Sequence, residues 1–267
     1  MYRFESNAYL RALCLLLTVA LSSLVQAEQE LITAARSDDE NLVAELLAAG
    51  ADPNTRQGDG STALHWAAHR SNGEAAQFLL GSGANPDASN ELGATPLWLA
   101  ASNGSAAMVE KLLTAGANPN ARLRMGETSL MSASRTGDLD TVSLLINAGA
   151  EIDAAEEERG QTALMWAVAQ SHRAVASMLL EHGADLNARS KVWYQLENTA
   201  GNTNPSGNYR MAHGGSSAIM FASRVGDIDT AETLLDAGAN VNDTAASGVS
   251  ALTQAAHSGH EELAIYL

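Results

Sequence analysis

A glycine recurs at nearly constant spacing through this chain, and no other feature limits its possible folds so sharply. Gly50, Gly83, Gly116, Gly149, Gly183 and Gly238 stand 33, 33, 33, 34 and 55 residues apart. A second series, Gly60, Gly93, Gly126, Gly160, Gly215 and Gly248, has the same period and the same single long step. A unit of about 33 residues repeated in tandem grows by stacking on its neighbours and needs no single large core.

The unit from Gly93 to Met125 explains how such a repeat folds. Thr95 is placed to cap a helix, and Pro96 follows where a missing N–H donor costs nothing. Leu97, Ala100 and Ala101 form a small apolar face until Asn103-Gly104 breaks the run. Met108, Val109, Leu112 and Leu113 start a second face that Gly116 closes in the left-handed conformation. The tail Ala117-Asn118-Pro119-Asn120 has turn chemistry and leads into an extended finger. Two short antiparallel helices are therefore expected, each too short to be stable alone.

The 33-residue period, the T-P-L-x-x-A run from Thr95 to Ala100, and paired leucines before Gly-Ala-[Asp/Asn] resemble the ankyrin repeat. The resemblance implies an all-α repeat solenoid of stacked helix-turn-helix units with finger loops. Its register places repeats at about 28–59, 60–92, 93–125, 126–159, 160–188 and 215–247, a truncated seventh at 248–267, and a loop insertion at 189–214. Because the seventh stops at the first leucine of its pair, the natural chain is expected to continue past Leu267.

The residues before the first repeat read differently. Arg3 and Arg11 flank a polar start, Ala12 to Val25 is a fourteen-residue apolar run, and Val25-Gln26-Ala27 offers small residues for a signal peptidase. Residues 1–27 are therefore expected to be a signal peptide, too short an apolar run to span a bilayer comfortably. Cleavage would remove two basic residues and one acidic, taking the net charge from −16 to −17, together with Cys14, the only cysteine. The expectation is an exported protein, periplasmic or secreted, with no stable membrane insertion, no disulfide and no cysteine nucleophile.

Fifteen basic residues against thirty-one acidic ones oppose binding to nucleic acid, whose phosphates call for lysine and arginine. No catalytic constellation, phosphate loop or cofactor motif assembles, so the chain is expected not to be an enzyme. His65 in Thr62-Ala63-Leu64-His65 matches the family's helix-opening tetrapeptide, and the resemblance implies a structural brace there. Trp98, Met131, Met165, Met220 and Thr253 occupy that position elsewhere and are expected to pack inward, as are Trp66, Trp166 and Phe221 one residue on. Glu156, Glu157 and Glu158 are expected to be solvated at a loop tip. The pair His257 and His260 lies at an ordinary repeat turn, and no metal site is expected.

The insertion is the exception to this regularity. Between Gly183 and Gly215 the chain spends thirty-two residues where ten are usual. Val192 to Leu196 and Tyr209 to Met211 look like the strands of a hairpin. In a chain that is 4% aromatic the segment holds Trp193, Tyr194 and Tyr209, and its charge is positive through Arg189, Lys191 and Arg210 against Glu197. Tyrosine, tryptophan and arginine are the types enriched at binding hot spots. A loop without order, or one folded onto its own acidic surface, are the alternatives.

The resemblance implies a non-enzymatic protein-binding scaffold that uses finger tips and the exposed side of the first helices. Carried onto this chain, that surface includes Arg56, Asn90, Arg122, Arg124, Glu157 and Thr244 on fingers, and His69, Arg70, Ser102, Asn103, Arg135, Thr136, Gln170 and Arg224 on helices. The expected contact residues are Trp193, Tyr194, Tyr209 and Arg210 of the insertion with Arg70, Arg122, Arg124, Arg135 and Arg224, the arginines lining one side. The partner is expected to be a protein. The alternative is that the repeats form the targeting or regulatory arm of an enzyme whose catalytic domain lies beyond residue 267.

Overall fold

The computed structural model describes residues 26–198 and 208–267, and for Asn198, Asn208 and Tyr209 the backbone alone. The expected signal segment up to Val25, and the middle of the insertion, lie outside the described residues.

Several repeats begin where a hydroxyl stops an extended segment and satisfies one of the first free N–H groups of a helix. The Oγ1 of Thr95 accepts from Trp98 N at 3.2 Å, Thr128 Oγ1 from Met131 N at 3.3 Å, and Ser250 Oγ from Thr253 N at 3.2 Å. Second helices open on Asp39, Asn72, Asp138 and Asp227 in the same way. The result is an all-α repeat solenoid in fold class, with one β-hairpin inserted.

Two units divide the described chain. The first comprises the residues up to Ala100 together with Lys111–Ala117. It holds α1 (26–36), α2 (Glu40–Ala48), α3 (Ala63–Arg70) and α4 (Gly73–Gly81). Helices α5 (Pro96–Ser102) and α6 (Ala106–Thr114) are shared between the units. The second unit comprises Ala101–Glu110 and Asn118–Leu267. It contains α7 (Ser129–Thr136), α8 (Leu139–Asn147), α9 (Ala163–Ala169), α10 (Arg173–Glu181), strands β1 (Trp193–Asn198) and β2 (Asn208–His213), α11 (Ala218–Val225), α12 (Ile228–Asp236), α13 (Ala251–His257) and α14 (Glu261–Tyr266). There α9 packs between α7 and α11, and α11 packs on α13.

The periodic leucines are the core. Leu64, Leu97, Leu130 and Leu164 of the first helices are buried, as are Leu79, Leu112, Leu145, Leu179 and Leu234 at the matching position of the second helices, whereas Leu46 of α2 is half-buried. Burying one such side chain contributes about 1.5–3 kcal/mol, so the repeat period is itself the stabilising pattern. Met131, Met165 and Met220 are buried as expected, whereas Thr253 is exposed and Trp98 only half-buried. Trp66 and Trp166 also differ from the inward expectation. Each is half-buried and lies beneath a guanidinium, Arg36 at 4.6 Å from Trp66 and Arg135 at 5.1 Å from Trp166. An indole has a face large enough to pack on the helix and still carry a cation on the other side.

His65 braces two fingers. Its Nδ1 lies 2.9 Å from Thr62 Oγ1 and accepts from Thr62 N at 3.1 Å, while Nε2 lies 3.0 Å from the Ala94 carbonyl. Burial pushes its pKa below the ordinary 6.5 and the nearby Arg56 charge adds to that, against the opposing pull of the Ala94 carbonyl and Asp59. The unfolded chain then binds the proton more readily than the folded one, so stability present above pH 6.5 declines as pH falls below that value. His65→Gln is expected to lose about 1–2 kcal/mol at pH 7.5 and to flatten the fall in denaturation midpoint between pH 7 and pH 5, measured by urea titration at each pH.

The fingers repeat as regularly as the helices. Gln57 N donates to Ser61 O, Asn90 N to Ala94 O, Leu123 N to Glu127 O, and Ala245 N to Val249 O, all within 3.0 Å. Successive tips are then tied together, Glu91 N to Asp59 O at 2.9 Å and Glu157 N to Met125 O at 2.7 Å. Glu156 departs from the expectation of a solvated loop tip. It is 8% exposed, and its carboxylate accepts from the N–H groups of Glu158, Arg159 and Gln161 at 2.7–2.9 Å. A bend of successive N–H groups concentrates donors, and a carboxylate at its start neutralises them.

Candidate functional site

The insertion grows from a finger whose base is unaltered. Ser190 N donates to Ser216 O at 3.0 Å, the closure made elsewhere across four or five residues and here across twenty-six. Gly215 N returns to Ser190 O, and Ser216 N donates to Ser190 Oγ, each at 3.0 Å. Arg189 clamps this base. Its Nη1 donates to Gly215 O at 2.8 Å and Thr244 O at 2.9 Å, and its Nη2 pairs with the Asp243 carboxylate. Burial raises the Asp243 pKa, but hydrogen bonds from Ser217 and Arg189 outweigh it and hold the carboxyl below its ordinary value of 3.8.

Above the base, the chain leaves at Lys191 and returns at Gly214. A Cβ on Gly214, whose φ is +76°, would come within 2.0 Å of the Lys191 carbonyl oxygen, so only glycine allows the two passes to lie side by side. Strands β1 and β2 then pair antiparallel with Trp193 opposite His213 and Leu196 opposite Arg210. Alternation across a strand sends neighbours to opposite faces. Trp193 stacks on His213, with centroids 4.4 Å apart and planes at 18°. Tyr194 belongs to the other face, where the Arg210 guanidinium lies 4.9 Å from its ring. The expected quartet is thus split: Tyr194 and Arg210 on one face, Trp193 on the other. Tyr209 occupies the register position opposite Glu197, and its side chain lies outside the described residues.

The Trp193 face opens on a cleft of about 560 Å³. The hairpin stem supplies Lys191, Trp193 and His213, the preceding finger supplies Glu158, Arg159 and Gln161, and α11 supplies Phe221 and Arg224. The Arg224 guanidinium lies 5.1 Å from the Phe221 ring. His213 Nε2 lies 2.8 Å from Glu197 Oε1, an ion pair when the imidazole is protonated. A smaller groove of about 190 Å³ shares Glu158, Arg159 and Gln161 and reaches Trp166. Chemically this is a half-open site with aromatic walls and cationic rims, suited to holding an extended polar chain rather than activating a nucleophile.

Arg70 belongs to the first unit, where its Nε donates to Arg36 O at 3.1 Å. Arg122 is held by Glu151 at 2.6 Å, and Arg135 combines its place over Trp166 with Glu127 at 4.0 Å. Arg124 is exposed at its finger tip. Two further finger residues prove structural: Arg56 Nη1 donates to Ser89 O at 2.7 Å, and Asn90 Oδ1 accepts from Leu92 N and Ala94 N at 3.0 Å. Of the eight expected contact residues whose side chains are described, Trp193 and Arg224 line the cleft. Sequence reasoning missed Arg159, Lys191, His213 and Phe221 as cleft residues. The available signal was the basic residue on each side of the Ser190–Ser216 stem position, which becomes spatial only once the finger is known to close across the insertion.

Among the described residues no group of three or more His, Cys, Asp or Glu is arranged to hold a metal ion, and no helix is long and apolar enough to cross a membrane. His260 instead reaches back to the Arg224 carbonyl at 3.0 Å. Comparison with known families gives two matches. A model described as ankyrin repeats (3 copies) matches residues 31–123 and 121–190, and one described as ankyrin repeats (many copies) matches residues 217–267.

Proposed function

Since this chain belongs to the ankyrin-repeat family, whose repeats serve as protein-interaction scaffolds and are generally non-catalytic, we propose that it is a binding scaffold of the cell envelope that engages a protein partner through its inserted hairpin and the adjoining first-helix and finger surface. The observation that carries this reading is the hairpin's attachment. The solenoid's own hydrogen bonds close beneath it at Ser190 and Ser216, so the hairpin is displayed without being needed by the stack. Export rests on the apolar run Ala12–Val25 followed by Val25-Gln26-Ala27. A stiff array loses little entropy on docking, which favours binding by a preformed surface.

Affinity capture from envelope and cytosolic fractions of the source cells tests this, with a second bait in which residues 192–213 are replaced by Gly-Gly. The native protein is expected to begin at Glu28 and to enrich an envelope protein that the shortened bait loses, while both baits melt at the same temperature. A native chain beginning at Met1 with its partner in the cytosolic fraction would overturn the envelope reading. Equal capture by both baits would remove the hairpin from the interface.

A further inference from the structure

The cleft beneath the hairpin has a charge that contradicts the rest of the molecule. The chain carries −16 overall, yet Arg159, Lys191 and Arg224 converge on this one cleft against a single carboxylate, Glu158, among its described lining residues. Lys191 Nζ already donates to the Glu157 carbonyl at 3.1 Å. Among the described residues neither Arg159 nor Arg224 forms an ion pair through its guanidinium. Three other arginines of the second unit are matched, Arg122 with Glu151, Arg173 with Asp229 and Arg189 with Asp243, whereas Arg124 and Arg210, like these two, have no ion pair among the described residues but do not line the cleft. Two unmatched guanidinium forks facing one half-enclosed volume are a receptor for carboxylates, which they engage in bidentate geometry.

The walls add a second requirement. Trp193, already backed by His213, is 48% exposed, and Phe221 forms the floor beneath Arg224. A ligand with charge alone would leave the exposed Trp193 wet, whereas a segment that alternates acidic side chains with an aromatic or large aliphatic one satisfies both requirements.

We infer that the cleft binds an acidic segment of the partner protein, its carboxylates on Arg159 and Arg224 and an apolar side chain against the exposed Trp193. The inference rests on the scaffold reading and names the chemistry of its ligand. The chain's net negative charge disfavours an acidic segment over most of the molecule, which directs it toward the cationic cleft.

Calorimetric titration of the protein with acetyl-Glu-Glu-Phe-Glu-Glu-amide tests it, beside peptides with Gln in place of Glu and with Ala in place of Phe. The acidic aromatic peptide is expected to bind at low ionic strength and to weaken as salt is raised. The Gln peptide and the Ala peptide are each expected to bind at least about tenfold more weakly. Arg159→Gln and Arg224→Gln, both exposed and, among the described residues, free of hydrogen bonds through their guanidiniums, are each expected to reduce affinity by about tenfold with unchanged melting temperature. Equal binding of the Glu and Gln peptides, affinity unaltered in both variants, or no heat with any peptide would overturn the inference. Hairpin-dependent capture of a partner that persists in the face of those results would leave the scaffold reading standing; loss of both would remove it too.

Discussion

Replacing Gly226 by alanine is expected to destabilise the fold by about 2–4 kcal/mol, read as a lower midpoint in urea denaturation. Gly226 closes α11 at φ +78°, where a side chain is strained in any protein. The larger effect lies across the repeat boundary. A Cβ at this position would sit 2.4 Å from Nδ1 and 2.6 Å from Cγ of His260, so the whole ring must leave, taking with it the bond from Nε2 to the Arg224 carbonyl. Gly137 and His172 form the same pair one stretch earlier, with ring atoms 2.6–2.8 Å from the added Cβ and Nε2 at 3.0 Å from Arg135 O. Gly248→Ala is the control, because its φ is +81° but nothing lies within 4 Å. It is expected to lose only about 1–2 kcal/mol. The double variant Gly226→Ala with His260→Ala is expected to recover part of the difference, and a cycle in which the two changes add without coupling would contradict the steric argument.

Arg189→Ala is expected to cost about 2–3 kcal/mol, in contrast to removal of the entire hairpin above it. One guanidinium satisfies the Gly215 and Thr244 carbonyls and the Asp243 carboxylate, and truncation leaves all three without that donor at a half-buried junction. Asp243 keeps Ser217 at 2.6 Å but loses its charge partner. Its carboxyl is held below 3.8 in the fold, so it contributes stability above that pH which disappears as pH falls through the folded value. The deficit of the variant is therefore expected to shrink in acid. A pH-independent deficit would assign the loss to the carbonyl contacts alone.

The helix pairs were legible because their determinants are local: a capping Thr, a Pro or Ala after it, leucines at fixed spacing and a closing glycine act within one repeat. The brace of His65 was legible for the same reason, through Thr62 three residues away. The arginine platforms were not. Arg36 and Trp66 belong to successive repeats, as do Arg135 and Trp166, and spacing alone did not reveal that an indole assigned to the interior would carry a cation on its outer face. Glu156 was misread because three consecutive glutamates look alike in sequence, while the finger's bend turns only the first toward the N–H groups of Glu158, Arg159 and Gln161. Trp193 and Tyr194 were both expected as contact residues, and the strand alternation legible in the same stretch puts them on opposite faces of the hairpin.

The tie between finger tips has a further consequence at the insertion. In the finger before it, the donor to the previous tip and the acceptor for the next are almost neighbours, Glu157 giving its N–H to Met125 and Arg159 receiving one from Lys191 at 2.6 Å. At the insertion these duties are parted: Lys191 gives, and Gly214 receives from Ala246 at 3.0 Å. Everything between them is invisible to the ladder on either side. The tip of an ankyrin finger in this chain thus behaves as a socket, in which the length and content of what is plugged in can change freely while the rack that holds it keeps its register. A change in the inserted strands can therefore be made without breaking the hydrogen bonds that join one finger to the next.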